Sequence, residues 1–110
     1  MAVDEGYKEY ILDQLSEFGG VQSRKMFGGI GFFKEGTMFA MIGGGVFRLR
    51  ADDQTVPDFE AHGMEPFNPY PDKGRKGMPY WEVPLSVFED KHELKIWATK
   101  AYEAALRGKK

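Results

Sequence analysis

Glycines at positions 28, 29 and 31 interrupt the run Arg24-Lys25-Met26-Phe27-Gly28-Gly29-Ile30-Gly31-Phe32-Phe33, and no other feature constrains the fold of this 110-residue chain as tightly. Glycine inside a strand loses the most backbone entropy and packs nothing, so three of them imply a bulge, a bend or a close backbone approach. The turn Lys34-Glu35-Gly36 follows, and Gly43-Gly44-Gly45 makes a second one. Residues 25–33, 37–42 and 46–50 therefore read as a three-stranded antiparallel meander whose first strand is bent. In its last strand Phe47 and Leu49 alternate with Arg48 and Arg50, the pattern of one buried and one wet face.

Helices flank this meander. Tyr7, Tyr10, Ile11, Leu15 and Phe18 recur at helical spacing, with Asp4 and Glu5 at the start and Gly19-Gly20 at the stop. A short helix is expected around 57–62, with Thr55 as its cap, Asp58 reaching back and Pro57 in its first turn. Short strands follow at 64–67 and 78–83, separated by Asn68–Gly77, whose prolines, glycines and charges predict an exposed, mobile loop. Asp90 caps a long final helix with the stripe Leu94, Trp97, Ala98, Ala101 and Ala105, helped by Ile96, Tyr102 and Leu106. The order α-β-β-β-α-β-β-α predicts one two-layer α+β domain spanning 1–110, with a five-stranded, mainly antiparallel sheet covered on one face by the first and last helices.

Composition narrows the chemistry. The absence of cysteine rules out disulfides, thiol catalysis and thiolate metal ligation. No apolar run approaches the roughly 20 residues a membrane helix needs, and no charged-then-apolar leader opens the chain, so a cytoplasmic setting without a membrane partner is expected. His62 and His92 lack the convergent ligands of a metal site, and Ser16, Ser23 and Ser86 lack a nucleophile signature. The acid pairs Asp52-Asp53 and Glu89-Asp90 suit helix starts. No catalytic residue, cofactor site or metal site is expected.

Charge is unevenly spread within a formal net of −2. Residues 21–50 hold Arg24, Lys25, Lys34, Arg48 and Arg50 against Glu35 alone, and Lys73, Arg75 and Lys76 cluster near Asp72. The candidate interaction surface is accordingly Arg24, Lys25, Phe27, Gly28, Gly29, Arg48, Arg50, Lys73, Arg75 and Lys76. Strand cations also serve simply as a solvated face that blunts edge pairing. The aromatics Phe32, Phe33, Phe39, Tyr80 and Trp81 would make either core or a stacking platform for single-stranded nucleic acid.

Four segments together carry a resemblance: Arg24–Gly31, Gly36-Thr37-Met38-Phe39-Ala40, Phe59-Glu60-Ala61-His62-Gly63, and Tyr80-Trp81-Glu82-Val83-Pro84. They resemble the N-terminal domain family of TfoX (Sxy), a bacterial regulator of natural competence, over roughly Tyr7 to Leu106. The resemblance implies a two-layer α+β fold similar to type III secretion chaperones, and a stand-alone domain, since the regulators' second, helical domain has no counterpart in these residues. It brings no catalytic residues, and transcriptional coactivation does not carry over with it. The leading expectation is a non-enzymatic regulatory or protein-interaction domain with a protein partner or self-association as a homodimer. The alternatives are a nucleic-acid-binding module using a basic sheet face, and an enzyme with an unrecognised site. Tight duplex DNA binding by the domain alone is not expected.

Overall fold

A computed structural model describes residues 5–26, 29–43, 45–66 and 79–108. Its elements are α1 (Glu5–Gln14), β1 (Val21–Met26), β2 (Gly29–Lys34), β3 (Thr37–Gly43), β4 (Val46–Arg50), α2 (Val56–Ala61), β5 (Tyr80–Glu82), α3 (Leu85–Phe88) and α4 (Lys91–Gly108). The five strands form one open antiparallel sheet in the order β1-β2-β3-β4-β5. The fold is α+β with five antiparallel strands, as the sequence predicts, but two of its strands are not the ones expected.

The bent strand expected over 25–33 is instead two strands. β1 begins at Val21 and runs antiparallel to β2, with Met26 opposite Gly29, so the chain reverses within the glycine-rich run. The strand expected at 64–67 reduces to a single bridge between Pro66 and Trp81, and Phe67 lies outside the described residues. Proline has no amide hydrogen to donate, so Pro66 cannot extend a ladder. The element order is therefore α-β-β-β-β-α-β-α-α. The hairpin between β2 and β3 turns through Glu35 and Gly36, both at positive φ (50° and 80°), which matches the twist of the strands it joins.

The core lies between the sheet and the helices. Ile11 and Leu15 of the first helical segment, Ile30, Phe32, Phe39, Ile42 and Leu49 of the sheet, and Leu94, Ala98 and Ala101 of α4 are all buried. Ala98, Ala101, Ala104 and Ala105 give α4 a small-residue face that lets it lie close on β3 and β4. Ala104 was absent from the stripe read off the sequence, whereas Ile96 and Leu106 turn out exposed. Phe18 packs on Phe39 and Tyr102, and Phe59 on Trp81 and Trp97, so ring contacts tie the helical layer together. Gln14 is buried and donates from Nε2 to the Phe88 carbonyl, joining α1 to α3 at 2.9 Å.

Local caps follow the sequence in part. Asp90 Oδ1 accepts from the amides of His92 and Glu93, capping α4 as expected. Thr55 does not cap α2 with its side chain: its hydroxyl accepts from the Asp52 amide instead. Asp58 does not reach back either, because its carboxylate pairs with Lys100 at 3.2 Å.

Candidate functional site

Strand register decides which side chains share a face. Arg24, Gly31, Met41, Arg48 and Glu82 stand opposite one another in turn, a single row across all five strands. The adjacent row, Ser23, Phe32, Ala40, Leu49 and Trp81, belongs to the other face, where Phe32 and Leu49 are buried under the helices. Ring contacts place α2, α3 and α4 on that second side, and Tyr10 against Phe88 places α1 there as well. The Arg24–Glu82 row therefore lies on the face turned away from these helices.

An antiparallel face turned to water normally alternates into polar residues. This one does not. Beside Arg24 and Arg48 it carries Met26, Phe33, Met38 and Met41, all half-buried. Their convergence needs Gly31: a Cβ there would lie 2.6 Å from Met26 Sδ, 2.9 Å from Phe33 Cε1 and 3.2 Å from Met38 Sδ. Gly29 is required for a different reason, since its Cβ would run into the backbone carbonyl oxygen of Ile42. Met38 reaches this face because the register shifts at Phe32/Phe33, leaving Phe39 as the extra residue of a bulge on β3.

The expected basic surface divides. Arg24 is exposed, and its guanidinium lies over the Phe33 ring, 5.0 Å from the centroid. Arg48 is half-buried; burial lowers its pKa, opposed by the fields of Glu82 and Tyr7. Arg50 shares the strand face but belongs to the packing at the end of the sheet. Its guanidinium lies 5.8 Å from the Tyr80 centroid, and a Cβ on Gly108 would come within 2.7 Å of its Nη2. A cation there faces the negative end of the α4 dipole. Lys25 was grouped with these residues, yet its row is Lys25, Ile30, Ile42 and Phe47, on the helix side. Alternation makes neighbouring strand residues point to opposite faces, so Arg24 and Lys25 cannot share one. A lysine on the core side of the edge strand β1 blunts edge-to-edge pairing. Phe27, Gly28, Lys73, Arg75 and Lys76, and the loop expected over 68–77, lie outside the described residues.

The five aromatic residues do not form an exposed platform. Phe32 and Phe39 are buried under the helices and Trp81 faces the helices against Phe59, while Phe33, under Arg24, shares its face with Tyr80, which is buried. Sequence reading missed the methionines, because their shared face depends on the bulge and on the reversal between Met26 and Gly29. Their number, six in 110 residues, was the available signal.

Titratable groups are spoken for locally. Asp52 accepts from Arg107 Nε at 2.6 Å and Nη2 at 3.1 Å, which holds its carboxyl below the usual carboxylate range. His62 Nδ1 lies 3.0 Å from the Asp58 carbonyl and its ring meets Trp97 edge-on, while His92 lies 3.8 Å from Glu17 on the helical surface. Among the described residues no three or more His, Asp or Glu side chains gather to hold a metal. A cleft of about 260 Å³ beside α3 is lined by Tyr7, Val46, Phe47, Met64, Glu82, Val83, Leu85 and Phe88, with Glu82 the one carboxylate among these described residues. Among the described residues no helix is long and apolar enough to cross a membrane.

A helical layer on one side of an open antiparallel sheet, with an apolar, arginine-bordered face on the other, defines a two-layer α+β domain. The chain matches the TfoX N-terminal domain over residues 13–105 and belongs to that family. A search of the curated proteins returns no match.

Proposed function

We propose that this domain is a non-catalytic, cytoplasmic protein-interaction module of regulatory character, working through the face of its sheet turned away from the helices. One observation carries the reading: Met26, Phe33, Met38 and Met41 fill a face that an open antiparallel sheet would ordinarily give to polar residues. Methionine is flexible and polarisable, and it recurs on surfaces that accommodate protein partners. Contiguous exposed apolar surface rimmed by polar side chains marks such sites. The family of competence regulators supplies the regulatory context. Stacking of single-stranded nucleic acid draws less support, because it needs several exposed rings and, among the described residues, Phe33 is the one ring on that face that is not buried.

The test is site-directed photo-crosslinking in the source cells. A benzophenone amino acid would replace Gln22 or Glu82 on the rim of the face, and Lys95 or Glu103 on the exposed side of α4. Protein adducts are expected at the two rim positions and not at the helix positions. Equal adducts at all four, or adducts at α4 alone, would remove the face from the reading.

A further inference from the structure

Arg50 differs from the other long cations that reach between elements. Arg107 pairs with Asp52, and Lys100 with Asp58. Among the described residues Arg50 makes no hydrogen bond or ion pair, and its Nε is buried without a partner. A half-buried guanidinium in that state is costly unless an acceptor reaches its remaining N–H groups. Arg50 lines a pocket of about 270 Å³ at the end of the sheet, where β4, β5, the β2–β3 hairpin and the last turn of α4 meet. Phe33, Met38, Tyr80 and Ala105 give the pocket apolar walls. Gly108 makes room for the cation, since a Cβ there would lie 2.7 Å from Arg50 Nη2. A concave, mostly apolar site holding one charged group is the usual form of a small-ligand site.

We infer that this pocket binds a small carboxylic acid with an apolar body, its carboxylate on the Arg50 guanidinium and its body against Phe33, Met38 and Ala105. The inference does not depend on how the sheet face is used. Three features argue for it. First, the planar guanidinium fork matches a carboxylate and forms short, charge-assisted hydrogen bonds with it. Second, the volume falls just below the range of about 300–1,000 Å³ typical of drug-sized ligands, which suits an arene ring or a short acyl chain. Third, the C-terminal end of α4 beside Arg50 carries a partial negative charge of about half a unit. That leaves room for one negative charge and disfavours a phosphate dianion, whose usual seat is the opposite, N-terminal end of a helix.

Methionine methyl NMR on the intact chain tests this, at fixed pH and ionic strength. Met38 reports the pocket, and Met64, in the cleft beside α3, reports a place the ligand should not touch. The probes are benzoate, its neutral isostere benzamide, benzylammonium and inorganic phosphate. Benzoate should shift the Met38 methyl saturably, with a Kd of about 1 mM or tighter for a ligand of that size, and leave Met64 unmoved. Benzamide, benzylammonium and phosphate should each bind at least about tenfold more weakly, as loss of a charged hydrogen bond predicts. Arg50→Gln should weaken benzoate by the same factor, with an unchanged Met64 signal verifying its fold. If that variant does not fold, the comparison of benzoate with benzamide on the unaltered chain decides alone.

Equal binding of benzoate and benzamide, shifts centred on Met64, or full benzoate affinity in a folded Arg50→Gln variant would each overturn the inference. A benzoate shift that does not saturate by about 10 mM would overturn it as well, because a formed site of this size should fill by then. Phosphate binding tighter than benzoate would overturn it and make Arg50 a phosphate contact. A peptide ending in a phenylalanine carboxylate that bound at least about tenfold tighter than benzoate would replace the small acid with the terminus of a partner chain.

Discussion

Met38 and Met41 are three residues apart on β3 and yet lie on the same face of the sheet, opposite Phe33 and Gly31. Strict alternation would set them on opposite faces. The extra residue between them is Phe39, which turns to the helix side and meets Phe18 with ring centroids 5.1 Å apart. One bulge thus does two things: it places Phe39 and Ala40, successive residues, in the core together, and it assembles the methionine floor. Core packing and the candidate surface are coupled through a single backbone irregularity.

Phe39→Ala should therefore be costly, at about 3–5 kcal/mol, because a fully buried ring leaves a cavity under α4. Trp97 is only half-buried against Phe59 and His62, so Trp97→Ala should cost less, about 2 kcal/mol. Urea unfolding of the two variants checks the ranking. A Trp97 loss below about 1 kcal/mol would place that ring with ordinary surface positions.

Gly29 and Gly31 should respond differently to the same added methyl. At Gly29 the new Cβ meets backbone, the Ile42 carbonyl, which cannot move without breaking the β2–β3 ladder. At Gly31 it meets two methionine sulfurs and a ring edge, which can swing away. Gly29→Ala is expected to destabilise by about 2–3 kcal/mol and Gly31→Ala by about 1 kcal/mol, within the range of overpacking. Thermal melts of the pair decide it, and a larger loss at Gly31 would show the methionine cluster to be rigid.

Much of this architecture was legible because helices announce themselves. The Asp90 cap and the Glu35-Gly36 turn are local signals, each where the sequence put it, and the final stripe is buried as read at Leu94, Ala98, Ala101 and Ala105. β1 was partly invisible because Val21-Gln22-Ser23 lies on an edge strand, with no fully buried residue to mark a period. Its faces could not be assigned without the reversal before Gly29, and a one-residue slip exchanges every side chain between faces. That is why Arg24 and Lys25 were read as neighbours on one surface. The methionine face combines a register and a bulge, and both are tertiary facts.

Asp52 and Arg107 link residues 55 positions apart and should leave a mark on acid stability. The folded-state pKa of Asp52 is depressed, first by the hydrogen bond from Arg107. Its contribution is therefore present above the unfolded carboxyl value, about 3.9, and is lost as pH falls through the lower folded value. Asp52→Asn should lower Tm at pH 6, and the difference from the unaltered chain should shrink below about pH 4. Melting both chains from pH 2 to 7 tests the sign. A difference that widens in acid would mean the carboxylate is not stabilised by Arg107.

Duplex DNA should not be bound tightly by the domain. Sequence-independent affinity comes from neutralising several phosphates at once, and each contact adds to the salt dependence. Of the four strand cations once grouped together, Lys25 faces the helix side and Arg50 packs against Tyr80 near the α4 end, leaving Arg24 and Arg48 on the open face. Arg48 is half-buried and stands opposite Glu82. The net charge of −2 adds repulsion at long range. Titration of a labelled duplex at near-physiological salt should show no saturable binding below about 1 μM, tighter than the ordinary non-specific range. A submicromolar dissociation constant that rose steeply with salt, and that weakened in an Arg24→Ala/Arg48→Ala variant, would turn the face into a nucleic-acid surface and displace the protein-docking reading.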